Sequence, residues 1–331
     1  MSKIPEKNLA AYEYFWKLER WLREIIYTEL KVAFGNQWER HLGPLKGYPP
    51  LKSLRNDKRL THMKTASARV LDYVQFNTLF DIMLLEKNWR IFSSYFPPRK
   101  QLRAKKEELE IIRHRLCHFR PLHKNDYDRL ILFLKDIDHQ LWTFCTSYND
   151  LKHDVRLQDE ICREFAKYDP FPWTEVKKNT FARVGMRDGS IMVDLTIGFA
   201  KRPWTKRGPF NKRDSLYHFN FMTANQKRLL DYDKILERTK KYHFDCIHIM
   251  LDNFRNQLGV TVPVCIDKKH TKELVKAFYE ACLYDSRYGS MDPDEGEKRN
   301  KKLLEEWPEY ILSGDNPLTF LCHDMPCNFL L

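Results

Sequence analysis

The chain has 331 residues, 43% of them apolar and 14% aromatic, enough for two domains of ordinary size with real cores. Charged residues make up 31% and mean hydropathy is −0.61, which excludes a disordered chain, and no stretch approaches the ~18 consecutive apolar residues of a membrane span. Net charge is +12 and unevenly placed: residues 1–150 hold 27 Lys and Arg against 18 Asp and Glu, residues 151–331 hold 30 against 27. An excess concentrated in one half points to a polyanionic partner, with a plain solvated basic surface as the alternative. The opening Met1-Ser2-Lys3-Ile4-Pro5-Glu6-Lys7 has no apolar stretch behind its charges, so no signal peptide and a cytoplasmic location are expected. The eight cysteines form no Cys-x-x-Cys pair and read as reduced, mostly buried thiols; Cys322 and Cys327 around His323 fit no common zinc spacing.

In chain order, residues 9–34 carry an apolar stripe at helical spacing through Ala11, Phe15, Leu18, Leu22, Ile25 and Leu30, with Gly35 as a suitable residue to end it. A Pro/Gly-rich connector follows. Helical patterning resumes over 67–89, breaks at Pro97-Pro98, and returns over 100–118 and 125–144, the last opened by Asn125 or Asp126 as N-cap. Four helices with short connections predict an all-α bundle over 1–150.

The second half, 151–331, differs in kind. Pro170 and Pro172 suggest a boundary near its start. Strand-like segments 180–186 and 191–199 flank Asp188-Gly189, a strong hairpin signal. A helix is expected over 224–241, strands over 244–251 and 260–266, and helices over 271–286 and 297–307. The pattern predicts an α+β domain with a small antiparallel sheet, suited to substrate selection or to sensing.

Arg113-His114-Arg115-Leu116-Cys117-His118 closes the third long helix of the basic half. Five positions turn an α-helix by about 500°, which leaves Arg113 and His118 roughly 140° apart. A shared site needs the helix to loosen near His118, and Pro121 disfavours helical backbone at Arg120. Such a pair suits RNA cleavage. The 2′-hydroxyl is an internal nucleophile beside the scissile phosphate, so no metal-activated water is obligatory. A histidine transfers protons near neutral pH, and an arginine holds phosphate oxygens bidentately. The products would be a 2′,3′-cyclic phosphate and a 5′-hydroxyl.

Arg113 followed by His118 at the end of a bundle helix resembles the HEPN superfamily, whose signature is Arg, usually a polar residue, and His after four to six positions. The flanking Glu110-Ile111-Ile112 and Phe119-Arg120-Pro121 resemble its abortive-infection branch, where the segment commonly reads Glu-x-x-Arg-Asn-x-x-Ala-His followed by Arg-Pro. The segment Leu84-Leu85-Glu86-Lys87-Asn88-Trp89 adds to the likeness, which covers about residues 8–148. The resemblance implies a HEPN-like bundle and a cofactor-free endoribonuclease. Arg113 and His118 would be its catalytic pair, His114 would fill the polar position where asparagine is commonest, and Glu110 would orient Arg113 or His114. It also implies a homodimer with two motifs across one cleft, a growth-arresting role in antiviral defence on tRNA or other cellular RNA, and a neutralising or activating partner. The alternative is a non-catalytic HEPN-like module that binds RNA or protein.

A rival use of the same residues places Glu110, His114 and His118 on one helical face, where two histidines four apart could ligate zinc. For RNA contact the candidates are Arg120, Lys105 and Lys106 near the motif, and Lys201, Arg202, Trp204, Lys206 and Arg207 in a basic loop that mixes cations for phosphates with rings for bases. Cys246 and His248 alternate with apolar residues and read as core or edge positions of a strand. No P-loop, G-x-G-x-x-G, H-E-x-x-H or G-x-S-x-G element occurs.

Overall fold

A computed structural model describes residues 4–43, 50–60, 62–63, 67, 69–151, 159–171, 173–178, 180–183, 191–205, 214–224, 227–290, 292–307, 309–312, 314, 316–325 and 328–330. The chain divides into two compact units. The first holds residues 1–30, 37–146 and 323–331, and the second holds 31–36 and 147–322. No helix among the described residues is long and apolar enough to cross a membrane.

The first unit is helical. Its helices are α1 (Glu6–Phe34), whose last turn belongs to the second unit, α2 (Pro50–Lys58), α3 (Phe76–Leu84), α4 (Glu86–Phe92), α5 (Arg99–Cys117) and α6 (Asp126–Tyr148), whose last residues, Ser147 and Tyr148, belong to the second unit. The predicted stripe of α1 is buried at Ala11, Phe15, Leu18, Leu22, Ile25 and Leu30. Leu102, Leu109, Ile112 and Leu116 of α5 and Leu130, Phe133, Leu134 and Ile137 of α6 are buried as well. The single helix expected over 67–89 is instead a 3-10 turn at Val70–Tyr73 followed by α3 and α4, with Leu85 extended between them at ψ 137°. The break survives because the buried Asn88 amide donates to the carbonyls of Ile82 and His41, each at 2.9 Å, so those acceptors are not left bare. Periodicity cannot register a one-residue break that keeps the same face inward.

The second unit is α+β. It adds α7 (Glu160–Phe165), β1 (Trp173–Lys177), β2 (Thr180–Arg183), β3 (Val193–Lys201), β4 (Ser215–Thr223), β5 (Arg228–Leu230), α8 (Tyr232–Thr239), β6 (His248–Leu251), β7 (Gln257–Pro263), α9 (Lys268–Tyr284), β8 (Ser286–Tyr288), α10 (Pro293–Glu306), β9 (Ile311–Leu312) and α11 (Pro317–Phe320). The main sheet has the order β3-β4-β7-β6-β9 and is mixed, because β9 runs parallel to β6. The purely antiparallel sheet that was expected is corrected by that edge strand. One face of the sheet carries Leu195, Ile197, Phe199, Phe219, Phe221, Val260 and Val262 into a core completed by α8 and α9 through Ile235, Leu236, Leu274 and Phe278.

Two further expectations shift. The turn residues Asp188 and Gly189 lie outside the described residues; among the described residues beside them, β2 pairs with β1, and β3 pairs with β4 over the full run Val193↔Thr223 to Lys201↔Ser215. The helix expected over 224–241 begins later, as β5 occupies Arg228–Leu230 and pairs with β8. Three-residue strands are set by their partner, not by local pattern.

Candidate functional site

The site sits where α5 stops. His118 is the C-cap, with φ −100° and ψ 18°, and Phe119 follows at φ 55°. The Phe119 amide donates to the Leu116 carbonyl at 3.0 Å and the Arg120 amide to the Arg115 carbonyl at 2.9 Å, the two bonds of a Schellman ending. Such endings favour glycine in the left-handed residue, and a β-carbon there costs about 1–2 kcal/mol. Phe119 bears that cost while standing 97% exposed. The helix therefore does not unwind gradually before Pro121; it stays regular through Cys117 and reverses sharply at Phe119. Arg115 makes an ion pair with Asp126, and the same carboxylate accepts from the His123 amide at 2.7 Å, which ties the following loop to α6.

The geometry separates Arg113 from His118, as the spacing alone would have it. Arg113 is half-buried and donates from Nη2 to Glu19 Oε2 of α1 at 3.1 Å, with its guanidinium 5.5 Å from the Phe76 ring centroid. Glu19 also accepts from Arg23 at 2.6 Å. No hydrogen bond or ring contact joins Arg113 to His118. What comes together is His114 with His118, two exposed imidazoles whose centroids lie 4.3 Å apart. Glu110 does not orient Arg113 or His114: it accepts from the Asn77 amide of α3. That turn of Glu110 also takes it away from the histidines, and among the described residues no group of three or more His, Cys, Asp or Glu side chains is placed to hold a metal ion.

The expected RNA contacts divide. Arg120 is exposed, and its carbonyl accepts from Asn8 at 3.3 Å. Lys105 pairs with Glu108 at 3.2 Å and Lys106 with Asp81 at 2.6 Å, so both are partly neutralised on α5. Lys201, the last residue of β3, is half-buried. Arg202 and Trp204 are a correction: they are 1% and 7% exposed, and the Arg202 guanidinium lies 5.9 Å from the Tyr148 ring centroid. A cation over an aromatic face in the interior belongs to packing, not to an RNA surface. Lys206 and Arg207 lie outside the described residues. The feature the sequence concealed is Phe119, since nothing in its identity signals a left-handed position.

Two adjacent imidazoles near neutral pH can divide the work of proton acceptor and proton donor. Arg115 shares the last turn with His114, and cations there suit the negative end of the helix dipole. No protein-family model, no curated protein and no solved structure matches the chain.

Proposed function

We propose that the chain is a metal-independent endoribonuclease of the HEPN superfamily, with His114 and His118 as its proton-transfer pair. The observation that carries this reading is the pair of exposed imidazoles at 4.3 Å on a helix end rich in arginine. One imidazole accepts the proton of the RNA 2′-hydroxyl as that oxygen attacks the adjacent phosphorus. The other protonates the departing 5′-oxygen, leaving a 2′,3′-cyclic phosphate and a 5′-hydroxyl. Arg113 supports charge on the phosphate from one side, since its carboxylate partner Glu19 is shared with Arg23. The exposed Phe119 ring offers a stacking face for an unpaired base. Since each chain holds one such motif, a homodimer would set two of them across a cleft. The biological role we assign is a cytoplasmic, growth-arresting antiviral effector acting on tRNA or other cellular RNA, with a neutralising or activating partner.

A second reading, a non-catalytic HEPN-like module that binds RNA or protein, is favoured by the structural employment of Arg113 with Glu19 and of Glu110 with Asn77. Incubation of the purified chain with total RNA, with and without EDTA, separates the two. Cleavage that survives EDTA, leaves cyclic phosphate ends and is lost in both His114→Ala and His118→Ala supports the enzyme. Activity abolished by EDTA, or retained in both variants, overturns it. Intact RNA that nevertheless co-elutes with the protein favours the binding module.

A further inference from the structure

The face of the main sheet opposite its apolar core is polar and open. Strand alternation places His218 and Asn220 of β4, His248 and Met250 of β6, and Gly259 and Thr261 of β7 on that face. The register sets His218 against Thr261 and Asn220 against Gly259, with His248 and Met250 as their neighbours on the other side of β7. These residues form the floor of a cavity of about 240 Å³, walled by Tyr148 and Asn149 from one direction and by Leu318, Thr319 and Phe320 of α11 from another.

The walls are held in place. His218 Nε2 lies 2.8 Å from the Tyr148 carbonyl, which can only accept, so this nitrogen carries the proton. Its Nδ1 then faces the Thr261 hydroxyl at 3.0 Å. The Tyr148 hydroxyl meets His248 Nδ1 at 2.9 Å, with His248 itself 2% exposed. Asn149 donates to the Leu318 and Leu321 carbonyls at 3.1 and 2.9 Å. Two lining side chains stand apart from this network: the amides of Asn220 and Gln257 make no hydrogen bond to any described residue. Position 259, between Asn220 and Met250, is glycine, and the side chains of both close in over it. A β-carbon there would come within 3.1 Å of the Asn220 side-chain oxygen and 3.0 Å of the Met250 methyl.

We infer that this cavity binds an adenine base. An amide side chain presents a donor beside an acceptor, the complement of the adenine edge formed by its exocyclic amine and ring nitrogen. The polarizable thioether of Met250, drawn over Gly259, and the Phe320 ring at the rim, 47% exposed, offer apolar faces to a planar ring. Among the described residues no carboxylate, lysine or arginine lines the cavity, and this lining favours a neutral group over a phosphate. Its volume falls below the roughly 300–1,000 Å³ typical of drug-sized ligands, which suits one base or nucleoside. The base could arrive as a free nucleoside or as an unpaired residue of an RNA strand. The inference stands independently of the role given to His114 and His118.

Titration calorimetry on the full chain with adenosine, cytidine and a short oligoadenylate tests it. Adenosine is expected to bind at least about tenfold more tightly than cytidine, and Asn220→Ala and Gln257→Ala each to lose about tenfold or more. If an alanine variant fails to fold by circular dichroism, Asn220→Asp, which keeps the size and removes the donor, reads the same contact. Oligoadenylate binding more than about tenfold tighter than adenosine identifies the RNA strand as the source, and equal binding identifies the free nucleoside. No heat from adenosine at about 10 mM, or equal affinity for cytidine, or wild-type affinity in the amide variants, overturns the assignment.

Discussion

The two histidine pairs of this protein are opposites. His114 and His118 stand in water at the end of α5, four residues apart, held near each other by helix geometry alone. His218 and His248 come from different strands and are fixed by Tyr148 and Thr261 within the second unit. The first pair is free to meet a large polyanion but must be organised by it. The second pair is already oriented and can admit only something small. Exposure suits proton transfer on a polymer, and pre-organisation suits recognition of one base.

The largest expected effect lies in the second unit and concerns a fifth histidine. His243 is buried beside Phe278 and Trp307, and burial pushes its pKa down to about 4, with Lys240 adding to the shift. The unfolded chain binds a proton there near pH 6.5 while the folded chain does not, so stability is complete above that pH and falls as pH drops toward 4. The loss approaches about 3 kcal/mol at the acid end, and His243→Phe should flatten it. Urea unfolding followed at several pH values between these limits reads this directly; an unchanged slope in the variant would count against it.

The next effect contrasts the pairs. Tyr148→Phe removes the hydroxyl partner of the buried His248 and is expected to cost about 1–3 kcal/mol. His118→Ala, on an exposed cap, should change stability by less than about 0.5 kcal/mol. Thermal melting of both variants checks the contrast, and equal losses would erase it. Arg113→Ala should fall between them at about 1 kcal/mol, since its side chain is one third exposed and shares Glu19 with Arg23. A loss near 3 kcal/mol by chemical denaturation would mark Arg113 as chiefly structural and weaken its place beside a phosphate. The smallest effect has the opposite sign. Phe119→Gly relieves a left-handed phenylalanine and should stabilise the first unit by roughly 0.5–1 kcal/mol, after the glycine's greater unfolded freedom is discounted, while weakening RNA retention on a filter.

Local information settled much of the first unit. The stripe of α1, the span of α5 and the stop at Gly35, whose φ is 55°, all follow from spacing and from glycine's backbone freedom. The motif residues were likewise visible, and so was the angular separation of Arg113 and His118. Tertiary structure decided what each motif residue does: Arg113 answers to Glu19, 94 positions earlier, Glu110 to Asn77, and His118 to His114. It also buried Arg202 and Trp204, whose composition reads as a nucleic-acid loop, because β3 and β4 pair across that loop and draw its first residues inward. The cavity in the second unit was invisible for the same reason. His218, Gly259 and His248 are commonplace in their own strands, and only the register of β4, β7 and β6 sets them side by side, since a shift of one residue would send each to the other face.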